Sequence, residues 1–124
     1  LLPPGGLDVT LGLEGTVAGG LFGAAVALVP DPLAPDRALV AVGAPRGDEG
    51  GVDLAGGVTL HRWGAAGLDP LPWVVVGGET DAPGGSLGAT LLGAREDGAS
   101  VLVVGAPESG RAGIGNGAVY VVPL

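Results

Sequence analysis

The chain contains no cysteine, no methionine and no lysine, and these absences exclude several kinds of site. Without cysteine there can be no disulfide, no thiolate nucleophile and no zinc–thiolate centre. Five scattered arginines against 13 acidic residues supply no basic patch, so the net charge of −8 argues against a nucleic-acid partner. No apolar run approaches the roughly 18 residues of a membrane span.

Glycine and proline, in contrast, are abundant, at 27 and 11 of the 124 residues. Relative to alanine, glycine costs ~1 kcal/mol and proline ~3 kcal/mol inside a helix, so helices are disfavoured. Short valine-rich runs such as Ala38–Val42 and Val101–Val104 lie between glycine-rich turns. This pattern predicts an all-β fold: a sandwich, a barrel or a propeller. The lack of a strict Gly-X-Y period excludes collagen, and the 47% hydrophobic content excludes disorder.

Two long segments of the chain align with each other. Each reads as a glycine turn with a strand, a second strand that ends in Gly-Ala-Pro, and a third strand after an acidic, glycine-rich loop. The aligned pieces are Gly20–Leu28 with Gly85–Leu92, Ala38–Pro45 with Ser100–Pro107, and Gly56–Leu60 with Asn116–Val122. The offsets are 65 between Gly23 and Gly88, 62 between Gly43 and Gly105, and 60 between Gly57 and Gly117. The chain is therefore predicted to be a repeat.

The Gly-Ala-Pro segments are predicted to end strands, because glycine permits close backbone approach and proline cannot donate to a ladder. The continuous Val and Leu runs favour strands that are buried on both faces, as in stacked sheets. A fourth strand is predicted at Leu71–Val76, and Trp63 and Trp73 are expected to pack against each other across a hairpin. The predicted units are the tail of a preceding unit at 1–19, a full unit at 20–84, and a unit truncated at its fourth strand at 85–124.

The signature of the repeat resembles a known family. Phe22-Gly23 with Gly43-Ala44-Pro45, and Leu87-Gly88 with Gly105-Ala106-Pro107, are similar to FG-GAP repeats, the blades of integrin-type β-propellers. The resemblance covers residues 5–124 and implies four-stranded antiparallel blades: about two, plus a partial one. It further implies a secreted or cell-surface, non-catalytic scaffold for cell adhesion or for binding a protein or carbohydrate ligand.

Two blades cannot close the ring by which a propeller removes its exposed strand edges. We therefore predict further blades of the same protein or self-association. A purely structural fragment with no ligand site is the alternative function. A remote alternative is a hydrolase using Ser86, because Gly84–Gly88 fits G-x-S-x-G; that motif requires a following helix and a histidine. The sole histidine, His61, is predicted at the surface or edge of the third strand.

Many FG-GAP repeats carry a calcium loop before the Gly-Ala-Pro strand, and calcium needs six to eight oxygen ligands. The weak candidate ligands in this chain are Asp31, Asp36, Glu96 and Asp97. Leu39 and Val101 stand at the last ligand position and cannot coordinate, and Arg95 repels a cation. We therefore predict degenerate loops with no confident metal or other cofactor, in which Asp and Gly form turns.

Overall fold

A computed structural model describes residues 12–15, 19–47, 56–64, 67–77, 86–108 and 117–124. The predicted all-β class is confirmed, since these residues form eight strands and no helix. The strands are β1 (Ala25–Asp31), β2 (Ala34–Ala44), β3 (Gly57–Gly64), β4 (Gly67–Leu68), β5 (Val74–Gly77), β6 (Thr90–Glu96), β7 (Ala99–Ala106) and β8 (Ala118–Pro123). Among the described residues there is no helix long and apolar enough to cross a membrane.

The first sheet, called sheet one, contains β1 to β5. Strands β1, β2 and β3 pair antiparallel in chain order, and β4 and β5 both pair with β3 at its two ends. Sheet one is therefore four strands wide. The predicted fourth strand is confirmed as β5, which begins at Val74 and not at Leu71, after Pro70 and Pro72. Proline has no backbone donor, so the preceding segment cannot extend the ladder.

Sheet two repeats this arrangement with β6, β7 and β8, again antiparallel and in chain order. The repeat is confirmed, but its third offset is wrong by one residue. The Gly-Ala-Pro glycine lies opposite Val58 in sheet one and opposite Val119 in sheet two, an offset of 61. Gly117 therefore corresponds to Gly56, and both adopt left-handed backbone, with φ of 78° and 83°.

The turn before the first strand is the same in both sheets. Leu21 and Ser86 both have φ of 60°, and Gly23 and Gly88 have φ of 91° and 92°. In each turn the residue after the glycine donates its amide to the carbonyl of Leu21 or Ser86, at 2.9 and 3.2 Å. A turn with positive φ at its third position favours glycine there, which explains the Phe-Gly and Leu-Gly signatures.

Proline ends the second strand of each sheet, as predicted. Strand β2 stops at Ala44 before Pro45, and β7 stops at Ala106 before Pro107.

The hairpin between the first two strands is three residues longer in sheet one than in sheet two, which explains why the offset between the repeats falls from 65 to 62. Pro30 pairs with Ala38 while the next residue pairs back to Ala34, so that residues 35–37 have no cross-strand partner in β1. The three inserted residues interrupt the ladder near the turn, and the register from Pro30 back to Ala25 is regular.

The two sheets pack face to face, with β1 lying against β6. Their contact forms the core, whose fully buried side chains include Val29, Leu39, Val58, Leu60, Leu102 and Val104. Glycine allows the close approach: a Cβ at Gly43 would lie 2.0 Å from the carbonyl oxygen of Gly88. Burial on both faces holds for 41–44 of β2 and 57–61 of β3, whereas β1 exposes alternate residues such as Val26.

Candidate functional site

The four candidate metal ligands lie in two hairpins at one end of the sheets. Asp31 is buried in the β1–β2 hairpin, whereas Asp36, Glu96 and Asp97 are exposed. Asp97 and Gly98 form the β6–β7 turn, with φ of 49° and 79°. Positive φ at both central residues is typical of a type I′ turn, which matches the right-handed strand twist. Among the described residues, no group of three acidic or histidine side chains is placed to hold a metal ion.

Asp31 has protein partners for both carboxylate oxygens. One oxygen accepts the backbone amide of Leu33 at 2.9 Å, and the other accepts Nε of Arg62 at 3.3 Å. The guanidinium of Arg62 also lies 4.6 Å from the ring centroid of Trp73. Asp31 therefore fixes the hairpin to β3. Trp63 and Trp73 do not pack together as expected, because successive strand residues face opposite ways and Trp73 lies on the Arg62 side.

His61 was predicted at the surface or edge, and this is wrong: it is only 3% exposed. Its Nδ1 lies 3.0 Å from the Asp69 carbonyl oxygen and therefore donates to it. In the neutral ring Nε2, at 2.8 Å, then accepts the hydroxyl of Thr59. A cavity of about 170 Å³ beside the ring is smaller than the ~300 Å³ of ordinary ligand pockets. We read His61 as a structural residue with both ring nitrogens satisfied.

Ser86, the candidate nucleophile, occupies the turn position of Leu21 and is followed by β6. A nucleophile elbow projects serine at the junction of a strand with a following helix. Here the following element is a strand, as expected from the repeat. The local geometry is therefore that of a repeat turn.

An open groove joins the two hairpins at their outer ends. It has a volume of about 390 Å³, within the range of ligand sites, and is lined by Arg37 and Arg95 together with Asp36 and Pro30. Both arginine side chains and Asp36 are exposed. Below the groove, Ser100 donates its hydroxyl to the Pro30 carbonyl and ties the hairpins together. The groove thus carries charges of both signs, and the guanidinium of Arg37 lies beside Gly64 of β3. Arginine pairs well with carboxylate and other acidic oxygens.

The face of sheet two that points away from sheet one is the other exposed feature. On sheet two this outer face consists of Leu92, Val101, Val103, Gly105, Val119 and Val121. On sheet one the outer face is exposed along β1, at Val26 and Leu28, whereas Val42, Thr59 and His61 on the same face are buried. Val119 and Val121 are 71% and 66% exposed, and Val26 is 65% exposed. Large contiguous apolar surfaces of this kind mark interaction sites.

Neither the groove nor the outer faces were singled out as sites from the sequence. The faces had a signal, since the valine runs place apolar residues on both sides of a strand. The groove had none, because its arginines lie in different repeats and meet only through sheet stacking.

No protein-family model matches the chain, and no curated protein matches it.

Proposed function

We propose that the chain is part of a non-catalytic scaffold of the FG-GAP β-propeller type, in which sheet one and sheet two are neighbouring blades. One observation carries this proposal. The two sheets repeat the same turn, the same strand order and the same register, and they pack face to face. A stack of four-stranded antiparallel meanders is the construction of a propeller.

The scaffold serves adhesion or binding at the cell surface or outside the cell, with a protein or carbohydrate as its ligand. Support for a binding role comes from the hairpin groove, which presents Arg37 and Arg95 on a rigid pair of sheets. Binding residues on loops that a rigid scaffold positions are a common arrangement in proteins. The groove favours acidic ligands over neutral ones, since guanidinium pairs with carboxylate geometry.

The test is binding of the immobilised chain to a panel of acidic glycans, neutral glycans and extracellular matrix proteins. We expect binding within the acidic part of the panel, and its loss in the double variant Arg37→Ala/Arg95→Ala. The matched control is Leu71→Ser, since Leu71 is exposed outside the groove. If the double variant binds as well as the unmodified chain, the ligand site does not lie in this groove.

A purely structural fragment is the second candidate, and the exposed outer face of sheet two favours it. It predicts no binding to any member of the panel. In that outcome the groove is only a gap between two hairpins.

A further inference from the structure

We propose that the cavity beside His61 binds a primary alkylammonium group, as carried by the lysine side chain of a partner protein. The cavity has a volume of about 170 Å³ and lies on the outer face of sheet one. It is separate from the hairpin groove, so the inference goes beyond the proposed function and does not rest on it.

A cavity of nearly the same size occupies the equivalent place beside sheet two, and its chemistry differs. Each cavity lies between the third strand and the turn that precedes the first strand. By the register of the strands, Tyr120 and Val122 are the equivalents of Thr59 and His61. The second cavity, of about 180 Å³, is lined by Val76, Leu87, Val104, Tyr120 and Val122.

This comparison shows that the fold does not require a polar pair on the third strand. Sheet two packs with a tyrosine and a valine where sheet one buries Thr59 and His61. A buried polar group lowers stability unless it is hydrogen-bonded, so an apolar pair is the simpler solution. The polar pair in sheet one therefore indicates a binding role for its cavity.

The hydrogen bonds of His61 determine which polar groups the cavity offers to a ligand. Nδ1 lies 3.0 Å from the carbonyl oxygen of Asp69, and a carbonyl only accepts, so Nδ1 carries the proton. Nε2 of the neutral ring then accepts the hydroxyl of Thr59 at 2.8 Å. The hydroxyl oxygen keeps a lone pair for a second donor. His61 is therefore a positioning residue, and Thr59 is the residue that contacts the ligand.

Glu14 supplies the charge of the site. It lines the same cavity, and among the described residues its carboxylate forms no ion pair. No arginine of the described ranges lines this cavity. Glu14 and Thr59 thus offer acceptors and a negative charge, which match an ammonium group and not an anion. The net charge of −8 also favours the approach of a cation.

The remaining walls are apolar and suit an alkyl chain. They are formed by Leu13, Pro70 and Pro72, and Phe22 adds an aromatic ring. The face of an aromatic ring attracts a cation. A cavity of ~150 Å³ is enough to hold one benzene molecule. A volume of about 170 Å³ therefore matches a single side chain and not a drug-sized ligand.

The ammonium group comes from a second molecule, because the chain contains no lysine. Lysine carries a compact charge with three donors on a flexible four-carbon stem, whereas the guanidinium of arginine is a planar fork with five donors. Two acceptor residues, Thr59 and Glu14, would leave most donors of a guanidinium unpaired. Lysine is therefore the better fit.

The test is a titration of the chain with n-butylammonium and with Nα-acetyl-lysine amide, followed by the NMR chemical shifts of the backbone amides. We expect saturable shifts for both ligands, confined to 12–15, Phe22, β3 and the segment before β5. Butanol lacks the charge and butyltrimethylammonium lacks the donors. Each should bind at least about tenfold more weakly than n-butylammonium, which is ~1.4 kcal/mol of binding free energy.

Variants test the two contact residues. Thr59→Val keeps the shape but removes the hydroxyl, and it should weaken binding at least about tenfold, whereas Thr59→Ser should bind like the unmodified chain. Glu14→Gln should weaken binding only about threefold, because Glu14 is exposed and such ion pairs are weak. The matched control is Glu96→Gln, an equally exposed position outside the cavity, which should change nothing.

Three results would overturn the proposal: the absence of saturable shifts, a neutral or trimethylated analogue that binds as tightly as n-butylammonium, or contact variants that bind like the control. Binding of n-butylammonium without the lysine derivative would reject a protein partner. Melting temperatures check the fold, and if Thr59→Val melts early, Glu14→Gln and the ligand series decide. A chain that fails these tests and still binds the acidic panel leaves the proposed function standing.

Discussion

The two sheets share strand order, register and turns, and yet equivalent residues have opposite environments. Val58 and Leu60 have no exposed surface, while their equivalents Val119 and Val121 are largely exposed. The residue types are the same or similar, so the difference comes from the neighbouring sheet and not from the strand itself. Whether a strand residue is buried in this molecule therefore depends on whether a second sheet packs against its face.

The hairpins differ in a second way. In sheet one, three extra residues enlarge the hairpin, and Asp31 ties it to Arg62 of β3. In sheet two, the turn has two residues, Asp97 and Gly98, and Ser100 instead ties the strand to the carbonyl of Pro30. Each hairpin is thus anchored by one polar side chain, but only the anchor of sheet two crosses between the sheets.

The largest expected effect is a difference in unfolding free energy between alanine substitutions at the two turn glycines. Gly23→Ala and Gly88→Ala share a backbone strain of about 1–2 kcal/mol, because both glycines are left-handed. At Gly88 the new Cβ would also lie 2.6 Å from the Gly57 carbonyl, whereas at Gly23 it meets open space. Overpacking adds about 1–3 kcal/mol at Gly88. Urea denaturation measures both losses of unfolding free energy, and equal losses would contradict the junction geometry.

The second prediction compares a buried position with its exposed equivalent. Leu60→Ala removes a fully buried side chain and should cost about 2–5 kcal/mol of unfolding free energy. Val121→Ala, at the equivalent position in sheet two, should change it by no more than about 0.5 kcal/mol. Both variants are measured at protein concentrations low enough to keep the chain monomeric. A large loss in Val121→Ala under those conditions would show that its face is covered within one copy.

The third prediction concerns the hairpin anchors. Asp31→Ala should lower the unfolding free energy by about 1–3 kcal/mol, because it leaves the Leu33 amide and Arg62 without their acceptor. Asp31→Asn keeps an acceptor for Leu33 and should lose less, since Arg62 is partly exposed and such ion pairs are weak. Glu96→Ala at the equivalent exposed position should be neutral within about 0.5 kcal/mol. Thermal and urea unfolding of the three variants give the comparison.

The smallest expected effect is that of calcium on either hairpin. Binding to the folded state alone raises stability with ligand concentration, so a calcium site would raise the melting temperature. We expect the same melting temperature in millimolar calcium and in excess chelator, because Asp31 is paired with Arg62 and Asp97 forms a turn. A rise of several degrees that disappears in Asp97→Ala would assign calcium to the hairpin of sheet two.

Much of the strand pattern could be predicted because its causes are local. Proline at 45 and 107 ends strands by lacking a donor, and Gly23 and Gly88 mark turns by their backbone freedom. The third offset was wrong by one residue because two adjacent glycines, Gly56 and Gly57, could each be aligned with Gly117. The structure shows that Gly56 is the equivalent residue, since it has positive φ and precedes the paired part of β3.

The candidate site was harder to predict because its causes are not local. Asp31 meets Arg62, 31 residues later in the chain, and this pairing changes a candidate ligand into an anchor. His61 is buried with Phe22, Pro70 and Pro72 around it, and its Nδ1 donates to the carbonyl of Asp69, eight residues later in the chain. Such partners depend on how β3 folds against its neighbours, which periodicity and composition do not encode.

The chain-order pairing of the strands has a consequence for folding. Within the described residues, each hairpin joins strands that are close in sequence, and only the stacking of the two sheets brings distant residues together. The loss of chain entropy on loop closure is therefore small for each sheet. The slow step of folding should be the docking of the two folded sheets on each other. The chain would then fold as two coupled units, with a nearest-neighbour energy that grows with each sheet added.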